Sequence, residues 1–331
     1  MKVERLDYAD LLSEAPNRQE AFGQHLYAAL SQLGFAKITN HPIPKDVVLE
    51  LFSWAKRFFA LPLEHKRKAA HPPEPNPHRG WSCVGQEKLS VITQGKVVLD
   101  LKESFDMGPK DDNLYPNIWS DESDLPGFRA FMENFYARCD ALHLQLLSVI
   151  ARSMKLPDPF FGALCAPNSS ELRLNHYPAV PRRDLDLDTA NGTGNMRISS
   201  HTDFGTITLL FQDSVGGLEV EDQTRPGQGH YLPIAADKCT DIIINVGDCL
   251  QRWTNDRLRS ANHRVTLPRD LSDGDSDGLV KDRYSVAYFG KPSRDVLVRT
   301  LTRLLRPNEE AKYCEEMTAW QYNQSRLLQT Y

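Results

Sequence analysis

Arg283-Tyr284-Ser285-Val286-Ala287-Tyr288-Phe289 is the stretch that decides how the second half of this chain is read. Side chains of an extended segment alternate sides, so Arg283, Ser285, Ala287 and Phe289 share one face. β-Branched and aromatic residues within it favour a strand. Working outward, similar runs recur after Pro157, at Leu172 to His176, Ile207 to Phe211, Gly217 to Val220, Asp241 to Val246 and His263 to Leu267. Many short strands separated by turn signals predict a jelly roll or sandwich.

The chemistry-bearing residues fall on or beside these runs. His201 and Asp203 are two apart, so in extended chain both project to the same side. A third ligand must then come from a strand that pairs nearby but lies far along the chain, and His263, opening a β-branched run, fits. Two imidazoles and one carboxylate on one face of a metal leave the opposite face open, the arrangement of non-haem Fe(II) sites that activate dioxygen. Zinc stays open on ligand type, although open coordination positions favour Fe(II). At depth, the guanidinium of Arg283 needs an anion, because a buried unpaired charge is very costly. A dicarboxylate that meets Arg283 and Ser285 at its far end and chelates the metal at its near end satisfies both demands.

Taken singly, each signal is weak. His-x-Asp can be a turn with a solvated carboxylate, a lone His263 an ordinary half-buried histidine, and Arg-x-Ser an exposed strand face. Their order and shared strand context make the combination informative.

With 331 residues, 40% hydrophobic and 25% charged, the chain has ordinary globular composition. A net charge of -5, with 39 basic and 44 acidic residues intermixed, gives no reason to expect nucleic acid or an anionic membrane as partner. Six cysteines without a C-x-x-C pair read as reduced thiols. The N-terminal residues lack the apolar stretch of a signal peptide, and no segment is long enough to span a bilayer, so a soluble cytoplasmic protein is expected.

Toward the N-terminus, Asn17 to Leu33 predicts a helix capped by Asn17, with Phe22, Leu26, Leu30 and Leu33 on one stripe before Gly34. A strand over Phe35 to Thr39, a turn at His41 to Pro44 and a second helix over Lys45 to Ala60 follow. His71 to Arg79 holds four prolines and reads as a loop. Leu125 to Leu156 predicts a long amphipathic helix whose stripe of Phe128, Phe131, Phe135, Leu142, Leu146 and Ile150 backs a sheet. The polar stretch from Pro178 to Arg197 reads as a surface loop leading into the first ligand, a candidate lid that orders over bound substrate. Gly192 and Gly194 within it do not complete a nucleotide-binding glycine pattern, since position 197 is Arg.

Further segments carry a family resemblance. Leu33-Gly-Phe-Ala-Lys-Ile-Thr-Asn-His-Pro-Ile-Pro44, Phe59-Ala-Leu-Pro-Leu-Glu-His-Lys66, Gly80-Trp-Ser-Cys-Val-Gly85 and Leu101-Lys-Glu-Ser-Phe-Asp106 come first. Asn175-His-Tyr-Pro178, His201-Thr-Asp-Phe-Gly205, Gly216-Gly-Leu-Glu-Val220, Asn245-Val-Gly-Asp248 and Trp253-Thr-Asn-Asp256 follow in order. Over about residues 20 to 320 the chain resembles the isopenicillin N synthase-like group of 2-oxoglutarate and Fe(II)-dependent dioxygenases. Two departures stand out: His41-Pro42 replaces the usual His-Gly, and the loop from Pro178 to Arg197 is longer than in plant members.

The resemblance implies a mainly β fold with α: a double-stranded β-helix, or jelly roll, flanked by N-terminal helices and one long backing helix. As one domain, 1–331, it would comprise an N-terminal region (1–110), helical support (111–168), the β-helix core (169–300) and a C-terminal helical segment (301–331). It implies that His201, Asp203 and His263 bind iron, that Arg283 and Ser285 hold the distal carboxylate of 2-oxoglutarate, and that Asn175 and Tyr177 also contact this cosubstrate. Arg173, Phe204 and Phe289 stand where relatives line the substrate pocket; Arg173 as a solvated strand residue and Phe289 as core are equally open. The implied reaction oxidises a C-H bond of a small organic substrate, such as a secondary metabolite or a nucleobase. It consumes O₂, releases succinate and CO₂, and takes ascorbate as a candidate reductant. Hydroxylation, desaturation and ring rearrangement start from the same hydrogen abstraction, and substrate placement decides among them. Two rivals remain: an oxidase of the same fold that uses no 2-oxoglutarate, and a non-catalytic binding module.

Overall fold

The computed structural model describes residues 2–72, 77–86, 100–185, 196–235, 237–267 and 278–327. In chain order the strands are β1 (Glu4–Asp7), β2 (Phe35–Thr39), β3 (Gly80–Ser82), β4 (Glu103–Met107), β5 (Glu171–Tyr177), β6 (Val180–Pro181) and β7 (Ile198–His201). They continue with β8 (Ile207–Gln212), β9 (Leu218–Glu221), β10 (Tyr231–Pro233), β11 (Ile242–Val246), β12 (His263–Val265), β13 (Leu279–Val280) and β14 (Arg283–Phe289). The helices are α1 (Pro16–Gln32), α2 (Lys45–Phe59), α3 (Leu63–Lys68), α4 (Phe128–Ser153), α5 (Phe160–Ala163), α6 (Asp248–Trp253) and α7 (Ala319–Leu327).

Among the described residues, an eight-stranded sheet in the order β1-β2-β11-β8-β14-β5-β4-β3 faces a four-stranded sheet, β10-β9-β12-β7. Only the β1–β2 pairing in the large sheet is parallel. The alternation of β14 and its neighbours explains why the large sheet separates two cores. Leu172, Leu174, Leu209, Phe211, Ile242, Ile244, Val286 and Tyr288 point outward and bury against α2 and α4, on Phe58, Phe128, Phe135 and Leu146. Their counterparts Phe35, Tyr177 and Ile243 point inward with Leu218, Val220 and Val265 of the small sheet. Each large apolar side chain so buried stabilises the fold by roughly 1.5–3 kcal/mol. This is the double-stranded β-helix, with helices on the outer face of one sheet and a space between the sheets for a site.

Several boundaries differ from the sequence reading. Helix α1 starts at Pro16 after Ala15, which makes no side-chain cap bond, so Asn17 lies inside the first turn and is not the cap. Proline at the first helical position supplies the start signal instead. Helix α4 is shorter than 125–156 because Gly127 and Lys155 adopt positive φ (84° and 59°), which ends the helical path at both sides. Within its stripe, Phe131 is only half-buried and packs on Trp54. The strand expected over His263 to Leu267 stops at Val265. Strands β1, β3, β4, β6, β7, β10 and β13 were not legible, being short or rich in polar residues. The turn after β2 is opened by Asn40 at φ 51°, and His41 beyond it is buried with Nε2 at 2.8 Å from the Thr240 carbonyl oxygen. The polar stretch from 178 to 197 is not wholly loop: β6 pairs antiparallel with β13. Its lid role, and Gly192 and Gly194, fall on 186–195, outside the described residues. No helix among the described residues is long and apolar enough to cross a membrane.

Candidate metal and cosubstrate site

β7 and β12 pair antiparallel with His201 opposite His263, so strand pairing alone sets the two imidazoles side by side, their ring centroids 4.3 Å apart. Asp203 follows directly, with Oδ1 at 3.9 Å from His201 Nε2 and 3.7 Å from His263 Nε2. The three candidate ligand atoms lie within 4.8 Å of one another.

Hydrogen bonds fix which atoms are offered. His201 Nδ1 lies 2.8 Å from the Ser199 carbonyl oxygen, and His263 Nδ1 3.1 Å from that of Ala261. A ring nitrogen facing a carbonyl must carry the proton, which leaves each Nε2 lone pair free for a metal. Asp203 Oδ2 accepts from Thr208 Oγ1 at 2.6 Å and from Asn245 Nδ2 at 2.7 Å, leaving Oδ1 toward the imidazoles. Burial, reinforced by the neighbouring His263, pushes the His201 imidazole down to about 4, into its neutral, ligating form. Burial alone would raise the Asp203 carboxyl; the adjoining His263 and His201 rings, which act as charges only when protonated, and the Asn245 and Thr208 hydrogen bonds, which act in either state, draw it below its ordinary value. Two neutral imidazoles and one carboxylate fit a divalent iron with open positions.

Close backbone packing holds this loop. Thr206 N donates to the Gly290 carbonyl at 2.7 Å, Gly247 N to Thr206 O at 2.7 Å, and Asp248 N to Asp203 O at 2.7 Å. A Cβ on Gly205 would collide with the Gly290 carbonyl, and one on Gly247 would sit 2.5 Å from the Gly205 carbonyl oxygen. The glycines at these points are therefore required by contact and not by conformation.

The second cluster lies on the inner face of the large sheet. In register, Arg283 stands opposite Tyr177, Ser285 opposite Asn175 and Ala287 opposite Arg173, while Gln212 stands opposite Ser285 on the other side. Arg283 is fully buried; Nη1 donates to Ser285 Oγ at 3.3 Å and Nη2 to Gln212 Oε1 at 2.8 Å, and its Cζ lies 4.8 Å from the centre of the Tyr177 ring. Arg283 Nε, Gln212 Nε2 and Asn175 Oδ1 have no hydrogen-bond partner among the described residues. Buried polar groups are rarely left so, and the two unused donors, Arg283 Nε and Gln212 Nε2, fit a carboxylate-bearing ligand.

Arg173, Phe204 and Phe289 line one cavity of about 80 Å³ together with His201 and Asp203. Arg173 is no solvated residue: it is buried and donates from Nε to Asp106 Oδ1 at 2.6 Å. Phe289, half-buried, faces the cavity and not the core. Sequence reasoning missed Glu171, Lys291, Asn323 and Leu327, which also line it. Alternation along β5 could have found Glu171, two residues before Arg173. Nothing local marks Asn323 and Leu327, which α7 brings in from the C-terminal end.

Comparison with known proteins agrees with this geometry. Residues 168–292 match the model of the 2OG-Fe(II) oxygenase superfamily, and residues 3–122 that described as non-haem dioxygenase in morphine synthesis N-terminal. Among curated proteins, Proline hydroxylase buaE of Petromyces alliaceus is 80% identical over 331 residues, covering 100% of both chains. The 2-oxoglutarate-dependent dioxygenase htyE of Aspergillus rugulosus is 49% identical over 338 residues, again covering 100% of both. Among solved structures, a full-length Neurospora crassa protein crystallised in complex with alpha-KG superposes with a TM-score of 0.84 at 31% identity, covering 98% of this chain and 96% of that one. With relatives this similar along their whole length, the chain belongs to the 2OG-Fe(II) oxygenase superfamily: it is a 2-oxoglutarate-dependent dioxygenase with Fe(II) as cofactor and O₂ as co-substrate.

Proposed function

We propose that this enzyme hydroxylates a saturated ring carbon of proline, free or as a unit of a larger small molecule, and that the whole chain works as one domain in doing so. The observation that carries this reading is the 80% identity, over both full lengths, to a relative named a proline hydroxylase. The charges of the cavity support it. Glu171 is gripped by Lys291 at 2.5 Å and Arg79 at 3.3 Å. Burial alone would raise its carboxyl, but those two cations hold it down to about 2. The Glu171–Lys291 and Arg173–Asp106 pairs bring groups of both signs to the cavity wall, which suits a zwitterionic amino acid, and Phe204, Phe289 and Leu327 offer apolar walls to its ring.

In this reading His201 Nε2, Asp203 Oδ1 and His263 Nε2 hold Fe(II), and Arg283, Ser285, Tyr177 and Asn175 hold 2-oxoglutarate. The bound iron supplies the oxidative chemistry that couples decarboxylation of 2-oxoglutarate to C-H oxidation. The chain's own residues orient the ligands through Ser199, Ala261, Thr208 and Asn245, keep the pocket dry, and set which carbon faces the metal.

The test is turnover of L-proline and of a short proline-containing peptide with Fe(II), 2-oxoglutarate, ascorbate and ¹⁸O₂, read by mass spectrometry. One ¹⁸O atom in hydroxyproline per succinate formed is expected. Succinate formation with both L-proline and a short proline-containing peptide recovered unchanged would sink the substrate assignment.

A further inference from the structure

We propose that Arg197 is a second guanidinium of the cosubstrate pocket, acting with Arg283 beside the Tyr177 ring to hold the distal carboxylate of 2-oxoglutarate. The inference rests on the reading that Arg283 and Ser285 grip that carboxylate.

Arg197 is as deeply buried as any residue of the chain, with no exposed surface. Its Nη2 donates to the Lys281 carbonyl, and its Nε and Nη1 have no hydrogen-bond partner among the described residues. The Cζ of Arg197 lies 5.9 Å from the centre of the Tyr177 ring, and that of Arg283 4.8 Å from it. Around one tyrosine there are thus two buried cations and, among the described residues, four unused nitrogens: Nε and Nη1 of Arg197, Nε of Arg283 and Nε2 of Gln212.

Such an arrangement is unfavourable by itself. Burial, followed by the repulsion of Arg283, pushes the Arg197 guanidinium down to about 10. The nearby acids Asp213 and Asp282 draw it back only in part, and Asp213 is engaged elsewhere: its Oδ2 accepts from Tyr284 N at 2.6 Å and its Oδ1 from Val215 N at 3.0 Å. A dry pocket with surplus positive charge and spare N-H donors is matched by an anion with several acceptor oxygens. Arg197 stands at the bend that leads into β7, four residues before the first metal ligand, His201. The Lys281 carbonyl takes only one nitrogen of Arg197, and Nε of the neighbouring Arg283 is likewise unused among the described residues.

The test compares two ligands with the same chelating head: 2-oxoglutarate, and 2-oxovalerate, which lacks the distal carboxylate. Affinities are read by anaerobic titration of the Fe(II) enzyme, from the charge-transfer absorbance and by calorimetry. Arg197→Met is expected to weaken 2-oxoglutarate by about tenfold or more and to leave 2-oxovalerate within about twofold, which also certifies a folded pocket. Equal weakening of both ligands, or no change in either, overturns the proposal. If Arg197→Met does not fold, Arg197→Lys serves, since it keeps the charge but loses the fork; it is expected to lower the 2-oxoglutarate to 2-oxovalerate preference, and an unchanged preference overturns the proposal. Arg283→Gln is run alongside. If it spares 2-oxoglutarate affinity, the underlying reading of the pocket fails; if it weakens that affinity while Arg197→Met does not, only the present inference fails.

Discussion

Asn245 donates from Nδ2 to Asp203 Oδ2 at 2.7 Å, joining residues 42 apart in sequence. With Thr208 on the same oxygen, it fixes which carboxylate oxygen faces the two imidazoles. Outer partners of a metal ligand set its orientation, and losing one typically costs about 10–100-fold in metal affinity. Asn245→Ala is therefore expected to weaken Fe(II) binding within that range, measured by titration of apoprotein at a temperature where the variant is folded, and to lower the thermal midpoint of the metal-free protein through the lost hydrogen bond to a buried carboxylate. A metal affinity equal to wild type would show that Asp203 needs no such support.

His143 is wholly buried, with Nε2 2.8 Å from Thr206 Oγ1, and burial pushes its imidazole down to about 3 from an ordinary 6.5. A value lowered in the folded state means that the unfolded chain takes the proton first. The contribution is thus fully present above pH 6.5 and is lost progressively as pH falls toward 3. Between about pH 7 and pH 5 the metal-free protein should lose about 2 kcal/mol through this group. Urea unfolding of His143→Gln across that range should show a shallower loss. Parallel profiles for the two proteins would refute the assignment.

Gly247 lies against the Gly205 carbonyl, where a side chain has no room. Gly247→Ala must push the metal loop from the start of α6, an overpacking change of about 1–3 kcal/mol. The expected result is a lower urea midpoint together with weaker metal binding, because Asp248 N also bonds the Asp203 carbonyl. A variant that loses stability but binds Fe(II) normally would separate the two effects.

Tyr322 on α7 donates its hydroxyl to Asp248 Oδ2 at 2.7 Å, and the same oxygen accepts from Thr202, between two of the candidate metal ligands, at 3.2 Å. Asn323 and Leu327 of this helix line the cavity. Tyr322→Phe removes a hydrogen bond to a carboxylate, worth about 1.5–3 kcal/mol. A raised KM for the organic substrate, faster proteolysis near residue 319 and an unchanged Kd for 2-oxoglutarate are expected. A change confined to 2-oxoglutarate would contradict this role for α7.

Arg173 and Asp106 form a buried pair at the cavity, Nε to Oδ1 2.6 Å. If Arg173 also receives a substrate carboxylate, Arg173→Gln should raise KM for proline at least about tenfold and leave its Kd for 2-oxoglutarate unchanged. Equal effects on both would place Arg173 in the cosubstrate pocket instead.

Much of the architecture was legible because its causes are local. Alternation in Arg283 to Phe289 placed Arg283, Ser285 and Phe289 on one face whatever the rest of the chain does, and the helical stripe of α4 required a sheet to cover it. For His201 and Asp203 the same local rule did not decide: β7 ends at His201, and Asp203 is brought beside it in the following loop by Asp248 N, Thr208 and Asn245. Where two signals compete at short range, as at Asn17 and Pro16, the sequence misled about the cap.

Tertiary structure decided what depends on distant segments meeting. Pairing β7 with β12 brought His263 beside His201, and α7 delivered Asn323 and Leu327 to a cavity built by β5 and β14. Arg197 passed unnoticed because a single arginine in a polar stretch looks solvated; only folding shows that it is buried, half-satisfied and beside Arg283. The chain thus determined by itself which face Arg283 and Ser285 occupy, since the pleat fixes that every two residues along a strand. Which faces meet, and which charges are left without partners, was settled by packing alone.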